Sequence, residues 1–426
     1  MKTIKGRGVT RRMLLQSSTA LAGLAGTDAI TGFPAVHAAE PVTLRYLGTA
    51  VNQSTDIANK VKQDLGITLE YMPVTTDVVT KRVITQPESF DLVETEYFSL
   101  PSLVPSGNLV GMDAKKIKLA DQITTVLSKG LIDGKKIGSQ GTAPFKVFYL
   151  DGKHAKSFSK TPTEWLTLIP TTYNADSLGI RPDLIGRPIE HWSELLNPDF
   201  KGKSALINVP SIGIMDAAMA IESAGKIKYV DKGNQTKAEI DKTIDILTAA
   251  KKSGQFRAFW TDFDESVNLM ASGEVVIQSM WSPAVTAVRS KGIKCTYTAL
   301  AEGYRGWATG FALPRSLSSK KQDAAYEFIN WFLSGWAGAY LTRQGYYSAV
   351  LATTKKFLQP YEWAYWYEGK PATQDIHAPN GSLTDKAGAV RDGGSYETRM
   401  SRIACWNSVM DENEYLITKW NQFIAA

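Results

Sequence analysis

Residues 41–72 restrict the fold more than any other stretch of the chain. Pro41-Val-Thr-Leu-Arg-Tyr-Leu47 alternates polar and apolar residues, the period of a strand. After a polar break at 49–55, residues 56–65 bring Ile57, Val61 and Leu65 onto one face, the period of a helix. Ile67-Thr-Leu-Glu-Tyr-Met72 returns to the strand period. Strand, helix and strand in this rhythm make a βαβ unit, and such units build mainly parallel sheets covered by helices. Phe90-Asp-Leu-Val93 fits a third strand that feeds Glu94-Thr-Glu-Tyr-Phe98. In open α/β sheets ligands bind just beyond the carboxyl ends of strands, so Glu94 and Glu96 become candidate site residues.

The same alternation of elements continues. Residues 166–170 and 172–174 predict a strand and turn, 191–202 a short helix, and 204–209 a strand. Residues 214–225, 236–253 and 318–333 have helical patterns, and 266–280 reads as helix, turn and a strand ending at Trp281. One segment resists this assignment. Ala301-Glu-Gly-Tyr-Arg-Gly-Trp-Ala-Thr-Gly-Phe-Ala-Leu-Pro314 places Trp307 among three glycines and before a proline, which predicts irregular backbone with an aromatic ring open to a ligand. At ~150 residues per domain, the chain length predicts two α/β lobes.

The first 38 residues are expected to be a removable leader and not fold. Lys2, Lys5, Arg7, Arg11 and Arg12 precede a weakly apolar stretch and the small-residue site Val36-His37-Ala38, and Thr10-Arg-Arg-Met-Leu-Leu-Gln16 resembles a twin-arginine export signal. The five basic residues and Asp28 account for +4 of the formal +6, leaving +2 for the remainder. That is no basis for nucleic-acid binding, which needs a dense basic stripe. Two cysteines, Cys295 and Cys405, stand apart from any Cys/His cluster. An oxidising compartment permits a disulfide between them, and two separate buried thiols is the simpler reading.

Little in the chain calls for catalysis, a cofactor or a metal. Beyond the leader only His154, His191 and His377 remain, none in a metal-spacing motif, and no nucleophile elbow or phosphate-binding loop is present. Glu94 and Glu96 share one face of an extended segment and can act as a pair. The aromatic content points to binding instead. With 11 Trp and 17 Tyr, the chain sets Tyr97, Trp281, Trp307, Tyr346 and Tyr347 at expected strand ends and loops. Rings so placed hold small ligands, cations especially, by stacking and cation–π contact.

Three stretches carry a family resemblance. His191-Trp-Ser-Glu-Leu-Leu-Asn-Pro-Asp-Phe-Lys-Gly-Lys203, Ala271-Ser-Gly-Glu-Val-Val-Ile-Gln-Ser-Met-Trp281 and 301–314 with its following helix resemble, in order and spacing, the solute-binding proteins of ABC importers, the spermidine/putrescine-binding branch in particular. The resemblance implies a two-lobed α/β clamshell, each lobe a mixed, mainly parallel sheet flanked by helices, with the lobes joined by crossing hinge segments. It implies lobes of residues 40–165 plus 310–345 and 166–309 plus 346–426, a monomer in the periplasm, and membrane permease subunits as partners. Carried over by position, the expected ligand contacts are Glu94, Glu96, Tyr97, Ser211, Trp281, Trp307, Thr309, Tyr346 and Asn407. The polyamine-binding branch has an acidic residue where this chain has Thr309, and a second acidic cluster falls here on Ser211, Ile212 and Met215. A small polyamine-like or other amine- or hydroxyl-bearing solute is therefore expected, and not an ordinary linear polyamine. Two alternatives remain open at this point: a ferric-ion binder using Tyr346-Tyr347, and an exported cofactor-dependent enzyme.

Overall fold

In the computed structural model, residues 42–426 are described. The leader expected at 1–38 lies outside the described residues. Thr43–Gly48 (β1), Thr55–Leu65 (α1) and Thr68–Pro73 (β2) form the expected βαβ unit, with β1 and β2 parallel and Tyr46 opposite Tyr71. The Ser54 side chain accepts the Asp56 N–H to start α1, Gly66 at φ 69° ends it, and Ile57 and Val61 face inward. Thr76–Thr85 (α2) leads to Leu92–Glu96 (β3), which pairs parallel to β1.

The chain then crosses the molecule on Ile169–Ile180 (β4), a strand whose twelve residues are all buried. Beyond it, Ser204–Ile207 (β5), Pro210–Ser223 (α3), Lys237–Lys252 (α4), Phe256–Trp260 (β6), Ile277–Met280 (β7) and Ser282–Ser290 (α5) repeat the α/β rhythm. Pro210 starts α3, where its missing N–H costs nothing. A reciprocal Thr236–Glu239 capping box starts α4. Tyr304–Pro314 (β8) crosses back, followed by Ser319–Leu333 (α6), Ile403–Trp406 (β9) and Asn413–Ala425 (α7).

The main sheet follows the order β6-β5-β7-β4-β8-β3-β1-β2. At one end β1, β2 and β3 are parallel, and at the other β5 is parallel to both β6 and β7. Antiparallel β4 and β8 lie between and join the two halves, with Asn174 opposite Trp307 and Asp176 opposite Arg305. The cores divide in the same way. One surrounds β1–β3 and also takes in Tyr346, Tyr347, Tyr365 and Trp366, while two others surround β5–β7. The architecture is the two-lobed α/β clamshell.

Three secondary-structure expectations differ from the structure. Residues 169–174 of the expected strand and turn open one continuous strand, and Leu166 lies in a separate short strand, Trp165–Leu166. Buried Thr171, Thr172, Asn174, Asp176 and Ser177 break the apolar pattern, and a pairing irregularity between Pro170 and Tyr173 absorbs the proline. Likewise 304–314 is regular strand, buried at all eleven positions. Its glycines serve close approach: a Cβ on Gly306 would lie 2.8 Å from the Trp406 ring, and one on Gly310 would lie 2.7 Å from Leu168 Cβ and 2.8 Å from Ile169 O. Residues 191–202 form two short 3₁₀ turns, Trp192–Leu196 and Pro198–Phe200, rather than an α-helix. Cys295 and Cys405 are free thiols buried in different cores, so the two do not pair.

Gly310→Ala must displace backbone as well as side chain. It is expected to cost about 1–3 kcal/mol by overpacking, read as a lower denaturant midpoint in equilibrium unfolding.

Candidate ligand-binding site

The crossing strands carry more polar side chains inward than a packed core tolerates without partners, and those partners define the site. Glu94 on β3 is 1% exposed. Its Oε1 accepts from Thr171 Oγ1 at 2.6 Å, Thr309 Oγ1 at 2.9 Å and the Asn52 amide, and its Oε2 accepts from the Tyr46 hydroxyl. Thr309 also lies 2.8 Å from Thr171 Oγ1 and 3.1 Å from Thr172 Oγ1. Glu94 and Thr309 are thus brought together as parts of one buried network. Burial pushes the Glu94 carboxyl up, and the four donors pull it back. No cation pairs with it among the described residues.

Arg305 on β8 anchors a second network. Its Nε donates to Asp216 Oδ1 on α3 at 2.6 Å, and its Nη1 donates to Asn407 Oδ1 at 2.6 Å. Nη2 lies 3.3 Å from Asp176 Oδ2, near enough for an ion pair but not aligned for a hydrogen bond, so that oxygen has no hydrogen-bond partner. Burial works against the Arg305 charge, but Asp216 and Asp176 hold the guanidinium above its ordinary value. Burial raises Asp176 to about 6 against the pull of Arg305.

Beside these networks stand the aromatics. Trp307 and Tyr346 meet edge to face at 5.8 Å and are 7% and 8% exposed. Asn174 Nδ2, opposite Trp307, donates to Gly345 O at 3.0 Å and so fixes the backbone just before Tyr346. Trp307 Nε1 sits close to Asp176 without completing a hydrogen bond. Glu96, at the end of β3 opposite Thr309, has a buried Oε2 with no partner, and burial raises its carboxyl to about 8. Four carboxylates, Glu94, Glu96, Asp176 and Asp216, therefore share this region with one guanidinium, Arg305.

The remaining expected residues lie further out. Tyr97 turns away, its ring stacked on Phe148 at 6.2 Å and its hydroxyl donating to Leu168 O at 3.3 Å. Trp281 caps α5 and packs edge to face on Trp260 at 4.9 Å, and Ser211 sits half-buried in the first turn of α3. No ring contact joins Trp281 to Trp307 among the described residues. Tyr346 and Tyr347 diverge, Tyr346 toward Trp307 and Tyr347 toward Tyr173 and Tyr396, so they do not converge on one ion. Asn52, Asp176, Asp216 and Arg305 were not foreseen. A signal existed for two of them, because a lone charge inside an apolar run, such as Asp216 within Ile214–Ile221 or Arg305 within β8, must find a buried partner.

Residues 56–366 match the model of a family described as bacterial extracellular solute-binding protein. The chain belongs to that family. Among solved structures, a putative spermidine/putrescine ABC transporter from Listeria monocytogenes is similar with TM-score 0.62 and 13% identity, over 90% of this chain and 98% of the other. The spermidine/putrescine substrate-binding protein PotD of Streptococcus pneumoniae gives TM-score 0.58 and 14% identity over 90% and 99%. The binding protein AgtB of Agrobacterium tumefaciens, solved with agropinic acid, gives 0.57 and 15% over 90% and 99%. Identities this low establish a shared fold and nothing finer. The comparison with curated proteins returned no match.

Two outcomes follow for the protein without added solute. Arg305→Met leaves Asp216 buried without its cation and is expected to cost about 3–5 kcal/mol in denaturant unfolding. Glu96, with a folded value of about 8 against an ordinary 4.5, binds its proton more tightly in the folded state. Its contribution to stability is therefore present below pH 4.5 and is lost as pH rises toward 8. Glu96→Gln should flatten that slope and gain roughly 2–4 kcal/mol over wild type at pH 8, with little difference at pH 5.

Proposed function

We propose that this protein is the exported solute-capturing component of an ABC importer and that its solute carries a cationic amine. The observation behind this reading is the surplus of buried acids: Glu96 and Asp176 each keep an oxygen without a hydrogen-bond partner, and Asp176 lies beside Trp307 and Tyr346. Glu96 has no cation paired with it among the described residues, and Asp176 shares Arg305 with Asp216, so an ammonium or guanidinium group entering beside these acids and the aromatic rings would offset the cost of ionising them. Glu94 and Thr309 frame the site by holding one another, and Asn407 orients Arg305. Trp281 and Ser211, further from these groups, meet the solute when the lobes close about β4 and β8. The resemblance assigns the lobes residues 40–165 with 310–345 and residues 166–309 with 346–426, while Tyr346, Tyr347, Tyr365 and Trp366 pack in the core around β1–β3. Closure selected by the solute is the state that permease subunits recognise in the periplasm, with the binding protein acting as a monomer.

The solved relatives are in keeping with a fold that takes different ligands. The Streptococcus protein is named for spermidine and putrescine, and the Agrobacterium one holds agropinic acid. Here the hydroxyl of Thr309 is committed to Glu94, which leaves acids at Glu96 and Asp176 for a single cationic end. A linear polyamine with a charge at each end is the poorer fit.

Calorimetric titration with a panel of monoamines, diamines, guanidino compounds and neutral or acidic controls tests the reading. One amine-bearing compound should bind, with proton release below pH 8 and affinity falling by up to about tenfold per pH unit as Glu96 protonates. Trp307→Ala should weaken it at least about tenfold, given the worth of a desolvated cation–π contact. Tight binding confined to acidic or neutral compounds, or unchanged affinity in both Trp307→Ala and Tyr346→Ala, would show the proposed site to be wrong.

A further inference from the structure

A second imbalance of the opposite sign lies behind Tyr347. Ser282, Thr286, Arg289, Tyr297, Arg391 and Arg399 line a cavity of about 20 Å³, room for one water-sized particle. Arg289 is fully committed: it pairs with Asp385 at 3.2 Å and Asp392 at 2.5 Å, and its Nε donates to Cys295 O at 2.6 Å. The other two guanidiniums have no such partner. Arg391, 5% exposed, donates only to carbonyls, Trp366 O at 2.5 Å and Gly345 O at 3.2 Å, and lies over the rings of Tyr347 at 4.4 Å and Trp366 at 4.8 Å. Arg399, 1% exposed, donates to Asp392 O at 3.0 Å and Ala175 O at 2.9 Å, and its Nε has no partner at all.

Neither Arg391 nor Arg399 forms an ion pair among the described residues. Asp392, the acid at the cavity wall, already serves Arg289 and the Tyr297 N–H through Oδ2. Three guanidiniums, those of Arg289, Arg391 and Arg399, thus face two carboxylates, Asp385 and Asp392. Carbonyl dipoles and ring faces soften that surplus but do not cancel it, and a guanidinium does not shed its proton in a protein. Burial pulls Arg391 below its ordinary value, whereas at Arg399 the neighbouring tyrosines and Asp392 outweigh burial and hold the guanidinium above its own.

We propose that this cavity is a binding site for one compact monovalent anion of chloride size, held by Arg391 and Arg399, with the hydroxyls of Ser282 and Thr286 turning to it from long bonds to Gly345 O at 3.4 Å and Ser282 O at 3.5 Å. A carboxylate- or phosphate-bearing molecule does not fit the space. The anion would tie α5, which begins immediately after Trp281, to the Gly345–Tyr347 segment that carries Tyr346. Gly345 O already accepts from both Arg391 Nη2 and Asn174 Nδ2. This site does not depend on the identity of the solute in the cleft.

The test uses the full mature chain dialysed into sodium gluconate, whose anion is too large to enter, and then titrated with chloride at constant ionic strength. A saturable rise in melting temperature of roughly 2–4 °C is expected. Crystals grown in bromide should show an anomalous peak between Arg391 and Arg399, and Arg391→Gln should abolish both effects. A chloride response that fails to saturate, or a bromide map without a peak in the cavity, overturns the proposal. If Arg391→Gln does not fold, the bromide map of the wild-type protein decides alone.

Discussion

The pairing of β4 with β8 is the constraint on which the rest of the molecule depends. Both strands are buried over their whole length, so every polar group they carry must find its partner inside the protein. Because side chains alternate, a single register places Asn174 opposite Trp307 and Asp176 opposite Arg305, and the same β8 sets Thr309 opposite Glu96. A slip of one residue would turn Trp307 and Arg305 to the other face and strand Asp176 and Asp216 without a cation. Among the described residues the strand pair is at once the sheet connection on the main path between the two halves and the scaffold of the candidate site.

Electrostatics divides this scaffold into two neighbourhoods. Around Glu96 and Asp176 acidic groups outnumber basic ones, and around Arg391 and Arg399 the reverse holds. The two are not insulated from each other. Tyr297 donates to Asp176 Oδ1 at 3.0 Å while its ring lies 5.4 Å from the Arg399 guanidinium, and Gly345 O is shared between Asn174 and Arg391. Charges held in a low-dielectric interior interact more strongly than the same charges at a surface, so the charge of one neighbourhood is felt in the other.

Much of the fold could be read from residue patterns because its outer elements are amphipathic. The opening βαβ unit, α4 with its capping box, and α6 each show the period their burial requires. The crossing strands could not be read in this way. A strand buried on both faces loses its alternation, and β4 conceals itself further by carrying threonine, asparagine and aspartate inward, where the fold supplies their partners. In β8 the glycines that look like breaks are required by neighbouring atoms far away in sequence, Trp406 and Leu168. The candidate site was legible to a similar degree. Trp307, Tyr346, Glu94 and Glu96 stood out as aromatics and acids at expected strand ends. The role of Thr309 as a donor to Glu94, and the Asp176–Arg305–Asp216 arrangement, arise only when segments more than eighty residues apart meet.

The two cysteines lead to a last consequence. Burial pushes both Cys295 and Cys405 up to about 12, so at neutral pH only about one thiol in 10⁵ is the reactive thiolate. Held in separate cores, they can neither join each other nor readily exchange with outside thiols. The folded chain has no covalent bond that a reductant could break, and it presents no thiol that a mild oxidant could easily reach. Its native state is the same chemical species in a reducing compartment and in an oxidising one, and passage between the two requires no chemical adjustment of the fold.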